Sequence, residues 1–85
     1  MSVDLSSNVN LLRLFCFSNN FTKLVLANNN SLTLLNCSLN NLTTLDLTLN
    51  TQLDKLFCAE NSLTELDVSS NNLLQKFWCY SNNLN

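Results

Sequence analysis

Leu53-Asp54-Lys55-Leu56-Phe57-Cys58-Ala59-Glu60-Asn61-Ser62-Leu63 is one instance of a pattern that fills the chain. Its cysteine has counterparts at Cys16, Cys37 and Cys79, each 21 residues from the next, and its asparagine has counterparts at Asn19, Asn40 and Asn82. A fixed period of that length marks a solenoid, in which each repeat is one coil stacked on its neighbours. The 85 residues then form about four coils, approximately 3–23, 24–44, 45–65 and 66–85, within a single solenoid domain spanning 1–85.

Each coil divides again. From Val3 the chain parses into alternating segments of 11 and 10 residues, starting at Val3, Leu14, Leu24, Leu35, Leu45, Leu56, Leu66 and Phe77. Five residues into every segment stands an asparagine: Asn8, Asn19, Asn29, Asn40, Asn50, Asn61, Asn71 and Asn82. The chain contains no glycine and no proline, the usual residues of turns. Asparagine tolerates left-handed backbone and bonds nearby main chain through its side chain, so it is expected to make the corners.

The segments open as apolar, variable, then apolar or Cys, as in Leu24-Val25-Leu26 and Leu35-Asn36-Cys37. That is the alternation of a short strand with one face buried. A later apolar residue closes each segment, at Leu11, Leu32, Leu53 and Leu74 in the longer ones and Phe21, Leu42, Leu63 and Leu84 in the shorter. The expected fold is all-β: a solenoid of stacked coils with two short parallel sheets, neighbouring strands about 4.8 Å apart, and internal asparagine and cysteine ladders.

Written as Leu11-x-x-Leu14-x-Cys16-x-x-Asn19-x-Phe21, and again from Leu32, Leu53 and Leu74, the chain resembles the leucine-rich repeat motif LxxLxLxxNxL. The overlapping half, Leu42-x-x-Leu45-x-Leu47-x-x-Asn50, nearly repeats it, and this nesting is similar to the short bacterial subclass called IRREKO repeats. The resemblance implies a protein-binding role on the strand face, and membership of larger surface or secreted bacterial proteins. Ordinary members of the family splay into a horseshoe around a helical or irregular convex half. A second strand in that half implies a straighter, two-sheet solenoid here.

Composition narrows the function. Charged residues are 12% of the chain, with six acids against four bases and no histidine. A net charge of −2 with scattered bases does not make a phosphate-binding surface, so no nucleic acid is expected. No apolar run approaches the roughly 18 residues that cross a bilayer, so no membrane insertion is expected. Met1-Ser2-Val3-Asp4 lacks a basic region followed by an apolar stretch, so no signal peptide is visible, and the compartment stays open. Without histidine a thiol nucleophile lacks its usual base, and the carboxylates are scattered; neither an enzyme nor a cofactor is expected.

The repeated positions carry the remaining expectations. Cys16, Cys37, Cys58 and Cys79 face inward where the other half of the coil has Leu or Val, and behave there as small apolar residues. A disulfide, a zinc site and a redox role are the alternatives, the first disfavoured by parallel Cβ vectors and the second by a ladder that presents at most two thiols to one point. The eight asparagines form structural ladders that satisfy turn backbone. Outward in the cysteine-bearing sheet lie Phe15 and Phe17, Asn36 and Ser38, Phe57 and Ala59, Trp78 and Tyr80. Five of the seven aromatics therefore share one face, and an aromatic patch in water marks an interaction surface. Arg13, Lys55 and Lys76 precede those strands, while Asp4, Asp46 and Asp67 lie on the opposite face. The expected function is a non-catalytic protein-binding module that uses Phe15, Phe17, Phe57, Trp78 and Tyr80. The alternative is a self-assembling structural subunit, the chain being its own partner in a homo-oligomer or filament joined head-to-tail through uncapped ends.

Overall fold

The computed structural model describes residues 3–84; Met1, Ser2 and Asn85, at the ends of the expected domain, lie outside the described residues. Four three-residue strands form, β1 Arg13–Phe15, β2 Leu34–Asn36, β3 Lys55–Phe57 and β4 Lys76–Trp78. They make one parallel sheet in chain order, and no helix occurs among the described residues. Leu14 pairs with Leu35, Leu35 with Leu56 and Leu56 with Phe77, so the register is the 21-residue step. The chain is an all-β, leucine-rich-repeat-like solenoid. Each strand starts one residue earlier than the apolar alternation implies, so Arg13, Lys55 and Lys76 are its first residues rather than its approach.

The core is a strip running through the stack. Leu26, Leu32, Leu35, Leu42, Leu47, Leu53, Leu56 and Leu63 are fully buried, with Cys37 and Cys58 between them. Alternation places Leu35 and Cys37 on one side of their strand and Asn36 on the other, and coil stacking buries the inward row. The outermost coils have a neighbour on one side only, which leaves Leu5, Leu11, Leu74 and Cys79 half-buried.

The second expected sheet does not form among the described residues. Segments 24–26, 45–47 and 66–68 keep the inward Leu-x-Leu or Leu-x-Val alternation but carry no strand pairing. Each is followed instead by a local turn that takes up its last carbonyl. Asn29 N–H donates to the Leu26 carbonyl (3.0 Å) and Leu32 N–H to the Asn29 carbonyl (3.2 Å), and the same pair of bonds recurs in every 11-residue segment. The extra residue of those segments lies between the asparagine and the closing leucine, and it gives the chain room for the second bond.

The corners differ from expectation as well. The residues with positive φ are Ser18, Leu39, Glu60 and Ser81, at 55–59°, each immediately before an asparagine of the sheet-side ladder. Asparagine holds the corner through its side chain, and the neighbour ahead of it takes the left-handed backbone.

Candidate binding surface

Two asparagine columns pin the coils, in different ways. In the sheet-side column, Asn40 Nδ2 donates to the carbonyls of Cys37 (3.0 Å) and Ser38 (3.2 Å) in its own coil and to Cys16 (3.1 Å) in the coil before. Its Oδ1 accepts the Phe21 N–H at 3.1 Å, and Asn61 does the same for Leu42, and Asn82 for Leu63, at 3.0 Å. In the opposite column, Asn50 Nδ2 donates to the carbonyls of Leu26 (3.1 Å) and Asn29 (2.9 Å). There the Oδ1 atoms of Asn29, Asn50 and Asn71 are buried without a partner. The closing leucine's N–H, which the other column's oxygen accepts, is already engaged in the local turn. Asn29, Asn40, Asn50, Asn61 and Asn71 are buried, Asn82 is half-buried, and Asn8 and Asn19 in the first coil are exposed.

Stacked in this way, the sheet presents three outward rows. The strand-start row is Arg13, Leu34, Lys55 and Lys76, and the middle row is Phe15, Asn36, Phe57 and Trp78. The third, just past the strands, is Phe17, Ser38, Ala59 and Tyr80, held in step by bonds such as Leu39 N–H to the Ala59 carbonyl at 3.0 Å. Phe15, Phe17, Trp78 and Tyr80 keep 59%, 48%, 56% and 60% of their surface in solvent, which for side chains this large is a substantial apolar area without a partner. Phe57 is half-buried because the Trp78 ring meets it edge-on, centroids 4.8 Å apart at 73°. Ala59, expected outward, is buried.

The aromatics are not one continuous stripe. Phe15 and Phe17 belong to the first coil, Phe57, Trp78 and Tyr80 to the third and fourth, and the second coil contributes Asn36 and Ser38 between them. A shallow depression of about 270 Å³ joins the groups, lined by Phe17, Leu39, Phe57, Trp78 and Tyr80 together with the polar Asn36, Ser38 and Glu60. Phe15 stands outside it. Leu39 was not among the residues singled out in the sequence, because its outward aim comes from the left-handed backbone rather than from strand alternation.

The thiols are all free. Burial pushes the Cys58 thiol up to about 12, with a contribution from neighbouring Cys79, and pushes Cys37 and Cys16 up in the same direction. Neutral thiols are poor nucleophiles and poor ligands, which suits small apolar residues inside a core. Among the described residues no three or more His, Cys, Asp or Glu side chains are grouped so as to hold a metal ion.

The opposite side of the coil is polar and acidic, but its carboxylates are used locally. Asp46 Oδ1 accepts the Thr48 N–H (3.0 Å) and hydroxyl (2.7 Å), and Asp4 and Ser6 repeat the arrangement at 2.9 and 2.6 Å. These bonds hold both carboxyls below the usual carboxylate range, as bonds from Ser69 do for Asp67. A second depression, about 250 Å³, opens between coils there, lined by Lys23, Val25, Asp46, Thr48 and Leu49. Val25, which alternation places outward, and Leu49, which it does not mark, give this side a small apolar spot.

A solved structure matches this arrangement: the functional domain of InlJ from Listeria monocytogenes, which includes a cysteine ladder. The two agree with a TM-score of 0.95 and 48% sequence identity, over 96% of this chain. This chain is of the leucine-rich-repeat type. It covers 18% of that chain's length. No protein-family model and no curated protein sequence matches it. Cysteine ladder, parallel sheet and buried asparagines are thus features of a leucine-rich-repeat solenoid, and no helix among the described residues is long and apolar enough to cross a membrane.

Proposed function

We propose that the chain is a non-catalytic protein-binding module whose contact surface is the aromatic face of the sheet, with Phe15, Phe17, Phe57, Trp78 and Tyr80 as its anchors. The observation that carries the reading is the exposure of four of these rings on a face fixed from beneath by buried leucines and two asparagine columns. Large side chains on a pre-ordered scaffold bury much area with little loss of conformational freedom, and aromatic residues dominate the energetics of protein interfaces.

The test is selection of a random peptide library on the purified chain, followed by rebinding to a variant carrying Phe57→Ser and Trp78→Ser. Peptides held by the natural chain and released by the variant, with circular dichroism unchanged, support the surface. Peptides that bind both forms equally, or a variant that unfolds, sink it. The second reading, head-to-tail self-association through the outer strands β1 and β4, rests on their unpaired edges. Light scattering separates the two: mass that grows with concentration favours assembly, and a constant mass rules it out.

A further inference from the structure

We infer that the partner segment received by this face is an apolar peptide with carboxylates on one flank, seated with its acidic groups over the strand-start row. The inference rests on the binding-face reading above and adds the partner's chemistry and orientation. Lys55 and Lys76 are register partners on adjacent strands, and like charges directly across a sheet repel. Among the described residues a single ion pair relieves them, Lys55 with Asp54 at 3.6 Å, both side chains about 40% exposed. The place of Asp54 is taken by Leu12, Thr33 and Gln75 in the other coils, so the fold does not supply a carboxylate for each base.

The surrounding charge is arranged asymmetrically. Three of the chain's four bases, Arg13, Lys55 and Lys76, stand on or beside the sheet face, although the chain as a whole is acidic. Asp4, Asp46 and Asp67 lie on the other side of the coil, tied into their own turns. Crossing the face along the strands, one meets bases first, then the Phe15, Phe57 and Trp78 row, then Glu60, which lines the depression. A polyanion is a poor match, since three bases, one of them already paired, neutralise few charges. An apolar segment acidic on one flank, turned toward the bases and away from Glu60, meets both rows at once, and charge complementarity of this kind sets orientation and partner choice.

The experiment uses the chain's single tryptophan, Trp78, as a reporter in the contact itself. Three synthetic peptides share one apolar segment and carry aspartates, serines or lysines on one flank; heparin serves as a bare polyanion. The aspartate peptide is expected to bind about fivefold tighter than the serine peptide and more tightly still than the lysine peptide, the size expected for two exposed ion pairs. Lys55→Gln with Lys76→Gln should level the three affinities, and Lys76→Glu alone should weaken the aspartate peptide selectively. If all three peptides perturb Trp78 with equal affinity, the charge inference falls while the aromatic surface stands. If heparin binds more tightly than any peptide, the occupant is a polyanion and the inference is overturned. If none of the peptides binds, both this inference and the aromatic-face reading fail.

Discussion

Asn61 Oδ1 accepts the backbone N–H of Leu42 at 3.0 Å, tying the third coil to the second, whereas the more deeply buried Asn50 Oδ1 accepts nothing. The same residue type, at the same place in two halves of one coil, does different amounts of bonding. The cause is the single extra residue that lets the longer segment close its own turn.

Removing the two side chains should therefore have unequal effects. Asn61→Ala strands the buried Leu42 N–H, while the carbonyls of Cys37, Cys58 and Ala59 each lose one donor but keep another, from Asn40 Nδ2, Asn82 Nδ2 and the Leu39 N–H; the change should cost about 2–3 kcal/mol. Asn50→Ala leaves two carbonyls short of a donor but also removes an unpartnered acceptor, and should cost about 1–2 kcal/mol. Urea unfolding of both variants measures the difference; equal losses would show that the two columns are energetically alike.

The left-handed corner offers a stabilising change. Glu60 has φ of 56° and is exposed, so little packing is lost when its side chain is cut away. Left-handed backbone costs a non-glycine residue about 1–2 kcal/mol, part of which glycine returns in unfolded-state entropy, leaving an expected gain of about 0.5–1 kcal/mol for Glu60→Gly. Glu60→Val, β-branched at the same φ, should lose stability. Thermal unfolding of the pair checks the sign, and a destabilised glycine variant would mean that the Glu60 side chain contributes something beyond its backbone.

The buried thiols make stability fall at high pH. In the unfolded chain a cysteine loses its proton near the ordinary value of 9.0, but Cys58 in the core holds its proton to about 12. The folded form thus binds more protons between those limits. Stability is complete below pH 9 and declines as pH rises toward 12, at up to about 1.4 kcal/mol per pH unit for each such thiol. Cys58→Val should flatten the decline, read as thermal midpoint against pH. Cys37 and Cys58 should resist a thiol reagent until the chain opens, while half-buried Cys79 reacts first.

Much of this molecule is written in its spacing. Because Leu14, Leu35, Leu56 and Phe77 hold the same place in their strands, the 21-residue step is also the strand register, and the inward cysteines follow from it. The two halves of the coil are harder to tell apart, since Leu24-Val25-Leu26 and Leu35-Asn36-Cys37 alternate alike. The signal that separates them is the residue count between Asn29 and Leu32 against that between Asn40 and Leu42, and its meaning lies in hydrogen bonds rather than in hydrophobicity. Ser18, Leu39, Glu60 and Ser81 have no chemistry in common, so residue type could not mark them as the left-handed corners. For the surface, alternation located the five aromatics; the half-burial of Phe57 and the depression around Ser38 depend on neighbours a coil away.

The contact between Phe57 and Trp78 separates a binding surface from a packing cluster. Edge-to-face pairs of this geometry couple by about 0.5–1.5 kcal/mol beyond the area they bury, and here one ring of the pair is more than half exposed. A double-mutant cycle with Phe57→Ala and Trp78→Ala should give a coupling at the lower end of that range, and the Trp78 variant alone should lose little stability, because the Leu56 and Leu53 core beneath does not depend on it. If Trp78→Ala instead costs as much as truncating a buried leucine, about 2–5 kcal/mol, the ring belongs to the core and its exposure carries no interface. Rings that are cheap to remove from the folded chain, on a face held rigid from below, are rings whose area is still free to be buried by something else.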